Sequence, residues 1–169
     1  MIRFALIAPM LFALATPAGA TQLFAAAGAW IGEGRIATGP HAGLERGRCQ
    51  VEIVAADSGD DVSITGRCAV AAGISDISLR LVRGQGGKVN AGVWSAATGQ
   101  TVQFAGTETT ETITLAAITP VVLGETVYET RVEVLAPGAE GFTLRQTLRA
   151  DGETAWRLVV DMAYRPGGG

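Results

Sequence analysis

The chain has 169 residues, thirteen basic against sixteen acidic side chains, and a formal net charge of −3. Lys88 is its only lysine and no basic block occurs, which argues against nucleic acid, whose binding rests on clustered positive charge, and against anionic lipid head groups. One histidine, His41, and two cysteines, Cys49 and Cys68, cannot supply a zinc cluster, so no metal site is expected.

Residues 1–20 read as a cleavable secretory signal peptide. Arg3 gives a positive start, an apolar run extends from Phe4 to Thr16, and Pro17-Ala18-Gly19-Ala20 closes it with small residues. The run is too short to span a bilayer, and Thr21, not a cysteine, follows the proposed cut, against an acylated N-terminus. No later run of about 18 apolar residues occurs, so no membrane span is expected beyond the leader. Removing 20 residues from 169 leaves residues 21–169, about 149, as a single domain with one core, periplasmic or secreted.

Thr21–Gly28 is a short apolar lead-in and the single helical candidate. Trp30–Ile36 follows as the first strand. From residue 47 onward the pattern alternates with period two, broken by Gly, Pro, Asp and Thr clusters. Cys49, Val51 and Ile53 share one phase, as do Ile64, Gly66, Cys68 and Val70, then Ile77, Leu79 and Leu81. Lys88–Ser95 reads as a strand; Val102 with Phe104 and Ile113 with Leu115 mark the next two. The last three carry Val132 and Val134, Phe142 and Leu144, then Trp156, Leu158 and Val160 against Arg157 and Asp161. About ten short strands at close spacing imply antiparallel hairpins and an all-β chain.

Two hairpins can be registered from the sequence. Folding at Asp57-Ser58-Gly59-Asp60 opposes residues whose numbers sum to 117, which sets Val51 against Gly66, Ile53 against Ile64 and Cys49 against Cys68. Opposed cysteines on neighbouring strands are close enough to bridge, and an exported chain meets an oxidising compartment, so a disulfide is expected. The Pro137–Gly141 loop allows two registers. Sums of 278 oppose Glu133 to Arg145 and Glu129 to Arg149, whereas sums of 276 set Arg131 against Arg145; opposite charges favour the first.

One apolar and one polar face per strand require the apolar faces to cover each other, in a sandwich or a closed barrel. Consecutive hairpins without long crossovers favour an antiparallel up-and-down β-barrel, which also removes open edges. An outer-membrane barrel would reverse the faces; the eight aromatics after residue 20 are too few for two interfacial girdles.

Gly28-Ala29-Trp30-Ile31-Gly32-Glu33-Gly34 is a G-x-W-x-G-x-G string. Trp30, Gly32 and Gly34 fall on one face, and strand glycines mark a bend or a close backbone approach. The string resembles the opening strand of the calycin barrels, where G-x-W follows a short helical turn and the Trp plugs one barrel end; the repeated glycines look most like nitrobindin-type ten-stranded barrels. The resemblance implies structural roles for Trp30, Gly32 and Gly34, and a basic side chain across the indole, for which Arg165 or Arg157 is placed. Nitrobindin-type barrels hold haem through a histidine near the C-terminal end of the barrel. Here Trp156–Arg165 has none, and His41 lies in the loop after the first strand. Tyr128, Tyr164 and Met162 are conceivable axial ligands but read first as core, so no cofactor is expected.

The inward phase is rich in small residues, among them Gly66, Ala91, Val93, Val102 and Val132. A round ten-stranded barrel lined this way leaves a pocket; a flattened one packs wall to wall. Tyr128, Thr130 and Gln146 are inward polar groups able to orient a ligand, or to bond one another, and with Phe104 and Phe142 they form the candidate binding set. Catalytic constellations are hard to assemble. One loop histidine disfavours Ser-His-Asp and Cys-His arrangements, Asp57, Asp60 and Asp61 sit in a turn too short for an EF-hand, and Gly84-Gln85-Gly86-Gly87 is a turn between strands. The expectation is a non-enzymatic, lipocalin-like periplasmic barrel holding a small apolar or amphipathic ligand. The alternatives are a packed envelope module that binds a protein, and haem binding.

Overall fold

The alternating segments fold as eleven antiparallel strands in a computed structural model that describes residues 22–138 and 140–168. They are β1 (Gly28–Ala37), β2 (Leu44–Ala55), β3 (Asp61–Val70), β4 (Gly73–Arg83), β5 (Lys88–Ser95), β6 (Gln100–Glu108), β7 (Thr112–Ala117), β8 (Val121–Leu123), β9 (Thr126–Leu135), β10 (Phe142–Ala150) and β11 (Arg157–Pro166). The leader read over residues 1–20 lies outside the described residues. Each strand pairs with the next along the chain apart from the β7–β9 step, and β11 pairs with β1, which closes a barrel. The N-terminal helical lead-in is one 3-10 turn, Gln22–Ala25.

Ten wall positions are filled by eleven strands because β7 and β8 share one edge of β9. Thr112–Ala116 pair with the Leu135–Arg131 half of β9, and Val121–Leu123 pair with Tyr128–Thr126. Ile118, Thr119 and Pro120 lie between them, and Pro120 has no N–H to give a ladder. The seam to β6 is closed by side chains. The Gln100 amide spans both backbone groups of Val122, at 2.6 and 3.1 Å, and the Gln103 N–H donates to the Thr119 hydroxyl at 2.9 Å.

Both registers read from the sequence hold. Cys49 faces Cys68, Val51 faces Gly66 and Ile53 faces Ile64 across β2 and β3; Glu133 faces Arg145 and Glu129 faces Arg149 across β9 and β10. The cysteines form a disulfide with their Cα atoms 4.0 Å apart.

The phase assigned to the start of the last strand is corrected. A bulge at Val159 shifts the β10–β11 register, so Val160 pairs with Gln146 but Leu158 pairs with Thr147. The extra residue inverts the alternation. Trp156, expected on the inner face, lies instead before the strand against Arg131 and Arg149, whose guanidinium carbons stand 4.0 and 4.7 Å from its ring centroid. Arg157 takes the inward phase opposite Leu148.

The first-strand glycines make room for β11. A Cβ on Gly32 would lie 2.5 Å from the Tyr164 ring, and one on Gly34 would lie 2.1 Å from the Asp161 carbonyl oxygen. Outward positions carry the charges, paired across strands as Arg67–Asp76, Arg80–Asp61, Arg145–Asp161 and Arg149–Glu129. The Arg80 hydrogen bond holds the Asp61 carboxyl below its ordinary range. Such exposed pairs add little to stability, being screened by water, and act mainly on register.

The interior divides along the barrel axis. At the end where β1 begins it is filled by Leu23, Phe24, Trp30, Ile53, Leu81, Ile113 and Phe142, all buried. Phe142 stacks on Tyr164 with centroids 4.8 Å apart and meets Trp30 at 5.4 Å. Arg83 lies over the Phe24 ring at 4.0 Å and bonds Glu108 and the Gly59 carbonyl. The cation at the plugged end therefore belongs to β4. Arg165, placed across Trp30 from the sequence, stands on the outer wall 3.4 Å from Glu33, because its neighbour in register is the outward Ile31. Arg157, the other candidate, is at the opposite end.

Candidate functional site

The other half of the barrel is open space. Small and branched side chains line it: Val93, Val102 and Val132 from β5, β6 and β9, with Ile77, Leu79, Leu144, Leu148, Val160 and Met162 around them. They leave a cavity of about 640 Å³. That is within the usual size of a small-molecule site, roughly 300–1,000 Å³. Phe104 and Tyr164 stand on the side of the plugged core, and the Cys49–Cys68 disulfide forms part of the wall. The mouth is bounded by the β1–β2 loop, the β3–β4 and β5–β6 turns, and β8.

No Lys, Arg, His, Asp or Glu side chain lines this space among the described residues. Tyr164 is its titratable group, and burial pushes the phenol up to about 12, so it is a neutral hydroxyl across the ordinary pH range.

Gln146, midway along β10, carries an amide into the wall. Its position is set by a short relay. The Thr130 hydroxyl donates to the Thr147 carbonyl at 3.0 Å and accepts from the Gln146 Nε2 at 3.0 Å. Thr130 itself is buried at 1 % exposure beneath the wall. Of the candidate binding set, the barrel thus brings Gln146 and Phe104 to the cavity. Thr130 sits behind Gln146, and Phe142 belongs to the plug.

Tyr128 is buried near the mouth, outside the cavity lining, with its hydroxyl 3.4 Å from the His41 Nε2. His41 reaches it because the loop between β1 and β2 crosses the open end. The same loop is held by Arg157, which donates to the Ala42 carbonyl at 2.5 Å, and its Thr38, Gly39 and Pro40 roof part of the cavity. Met162 and Tyr164 line the cavity while His41 does not. Asp61 of the acidic turn is engaged by Arg80, and among the described residues no group of three or more His, Cys, Asp and Glu side chains gathers to hold a metal.

Two features escaped the sequence reading. Arg157 over the mouth follows from the bulge, for which the sequence carries no signal. The Arg83–Glu108 pair joins β4 to β6 past an intervening strand, so no hairpin arithmetic reaches it.

Neither a protein-family model nor a curated protein matches the chain.

Proposed function

We propose that this protein is a calycin-like barrel, exported to the periplasm or beyond, that carries a small apolar or amphipathic molecule without transforming it. The observation that carries this reading is the half-filled interior: a plugged, aromatic end and an uncharged cavity of about 640 Å³ at the other. Burying an apolar molecule there gains about 25 cal/mol per Å² of surface removed from water. The disulfide suits an oxidising compartment. Among the described residues Tyr164 is the one ionisable group in the lining, which supports carriage over catalysis.

A second reading has its own support. Trp94, Ile118, Val122 and Val127 are exposed on β5 and around β8, towards the open end, and an envelope protein could dock on them. Native protein purified from periplasm and extracted for mass spectrometry separates the two. A reproducible small molecule supports carriage; an empty barrel with a copurifying protein supports docking. A Soret band would instead indicate haem.

A further inference from the structure

Resting on the carrier reading, we infer that the cavity selects an uncharged molecule bearing a hydroxyl group, which donates its proton to the Oε1 of Gln146. The orientation of the Gln146 amide is set by proton counting. Thr130 has one hydroxyl proton, and it is committed to the Thr147 carbonyl at 3.0 Å. Towards Gln146 the hydroxyl can therefore only accept, so the amide must present its nitrogen to Thr130, at 3.0 Å. The amide oxygen is left without a hydrogen-bond partner among the described residues, on a side chain that lines the cavity. An acceptor held in an apolar wall rewards a donor and leaves an alkane with nothing to offer it.

Charge is disfavoured by the same surroundings. Among the described residues no cationic side chain lines the cavity, and Arg157, which holds the loop across the mouth, is bonded to the Ala42 carbonyl. A carboxylate taken inside would lose its hydration with hydroxyls such as that of Tyr164 but no cation to meet it, at a cost larger than the gain from one hydrogen bond. The ligand class is thus a neutral alcohol with a compact apolar body, seated hydroxyl inward.

The test uses three probes with one ten-carbon chain: decanol, decanoate and decane. Each displaces the fluorophore N-phenyl-naphthylamine from the full-length mature protein at about pH 8, where decanoate is ionised. Decanol is expected to bind at least about tenfold more tightly than decanoate, the scale of one net hydrogen bond plus avoided desolvation. Gln146→Leu is expected to weaken decanol by up to about tenfold and to leave decane within about twofold. Decanoate binding as tightly as decanol in the unmodified protein overturns the preference for a neutral ligand, with no variant needed. A Gln146→Leu protein that keeps the decanol-to-decane ratio overturns the role of Gln146. If neither the fluorophore nor any probe binds, the carrier reading itself falls and this inference falls with it.

Discussion

The guanidinium of Arg83 lies 4.0 Å from the centroid of the Phe24 ring while it holds the Glu108 carboxylate through bonds of 2.6 and 2.8 Å. One side chain thus ties the N-terminal turn to β4 and β6 and shuts the plugged end. The Glu108 side chain is 5 % exposed, so Arg83→Met, which removes both of these bonds to a buried carboxylate, should lower stability in urea unfolding by about 3 kcal/mol. The double variant Arg83→Met/Glu108→Leu should recover part of that loss, since no charge is then left buried. Equal stability of the single and double variants would contradict this account.

Gly34 is required by contact with β11. Gly34→Ala places a Cβ 2.1 Å from the Asp161 carbonyl oxygen, and a backbone atom in a ladder cannot yield as a side chain can. A loss of about 3 kcal/mol is expected, at the upper end of overpacking costs. Gly39→Ala, in the β1–β2 loop with nothing within 4 Å, serves as the control and should be near neutral. Thermal midpoints of the two proteins compare them directly.

The Cys49–Cys68 disulfide closes a loop with a sequence separation of 19. Reduction should lower stability by roughly 3 kcal/mol on the chain-entropy argument. The barrel should stay folded, because the β2–β3 ladder has eight paired positions from Arg48–Ala69 to Ala55–Val62. Far-ultraviolet circular dichroism in urea, with and without reductant, measures both.

Tyr164 couples stability to alkaline pH. Its folded-state value, pushed from 10.0 to about 12 by burial, means the folded protein binds the phenolic proton more tightly than the unfolded chain. The stabilisation is complete below pH 10 and is lost as pH rises towards 12, a change of about 2–3 kcal/mol. Tyr164→Phe should remove that part of the slope. The phenolate absorbance of the folded protein near pH 11 should be unchanged by Tyr164→Phe, since Tyr164 is still protonated there.

The loop across the mouth should govern rates rather than affinity. Arg157→Ala removes the bond to the Ala42 carbonyl, and Tyr128→Phe removes the contact with His41. Neither Arg157 nor Tyr128 lines the cavity. Stopped-flow mixing with N-phenyl-naphthylamine should show uptake and release both several-fold faster in the double variant, with the dissociation constant little changed. A large loss of affinity at unchanged rates would show that these residues touch the ligand.

Hairpin pairings were legible in the sequence because a short turn leaves only one or two registers, and side-chain phase and charge choose between them. Cys49 against Cys68 and Glu129 against Arg149 needed nothing more. The closed barrel followed from about ten short strands in consecutive hairpins, with no long crossovers and with apolar faces that had to cover each other. The bulge at Val159 was not legible: one unpaired residue leaves Val160 in its expected phase and reverses Leu158 before it, yet nothing in Leu158-Val159-Val160 sets one residue apart. Contacts past an intervening strand, such as Arg83 to Glu108, were equally hidden. The cavity was decided by tertiary structure alone, since alternation places side chains inside while only the curvature of the closed wall determines whether they meet across it. Gln146 turns its Nε2 to Thr130 because the Thr130 hydroxyl proton is already given to the Thr147 carbonyl, a contact between β9 and β10.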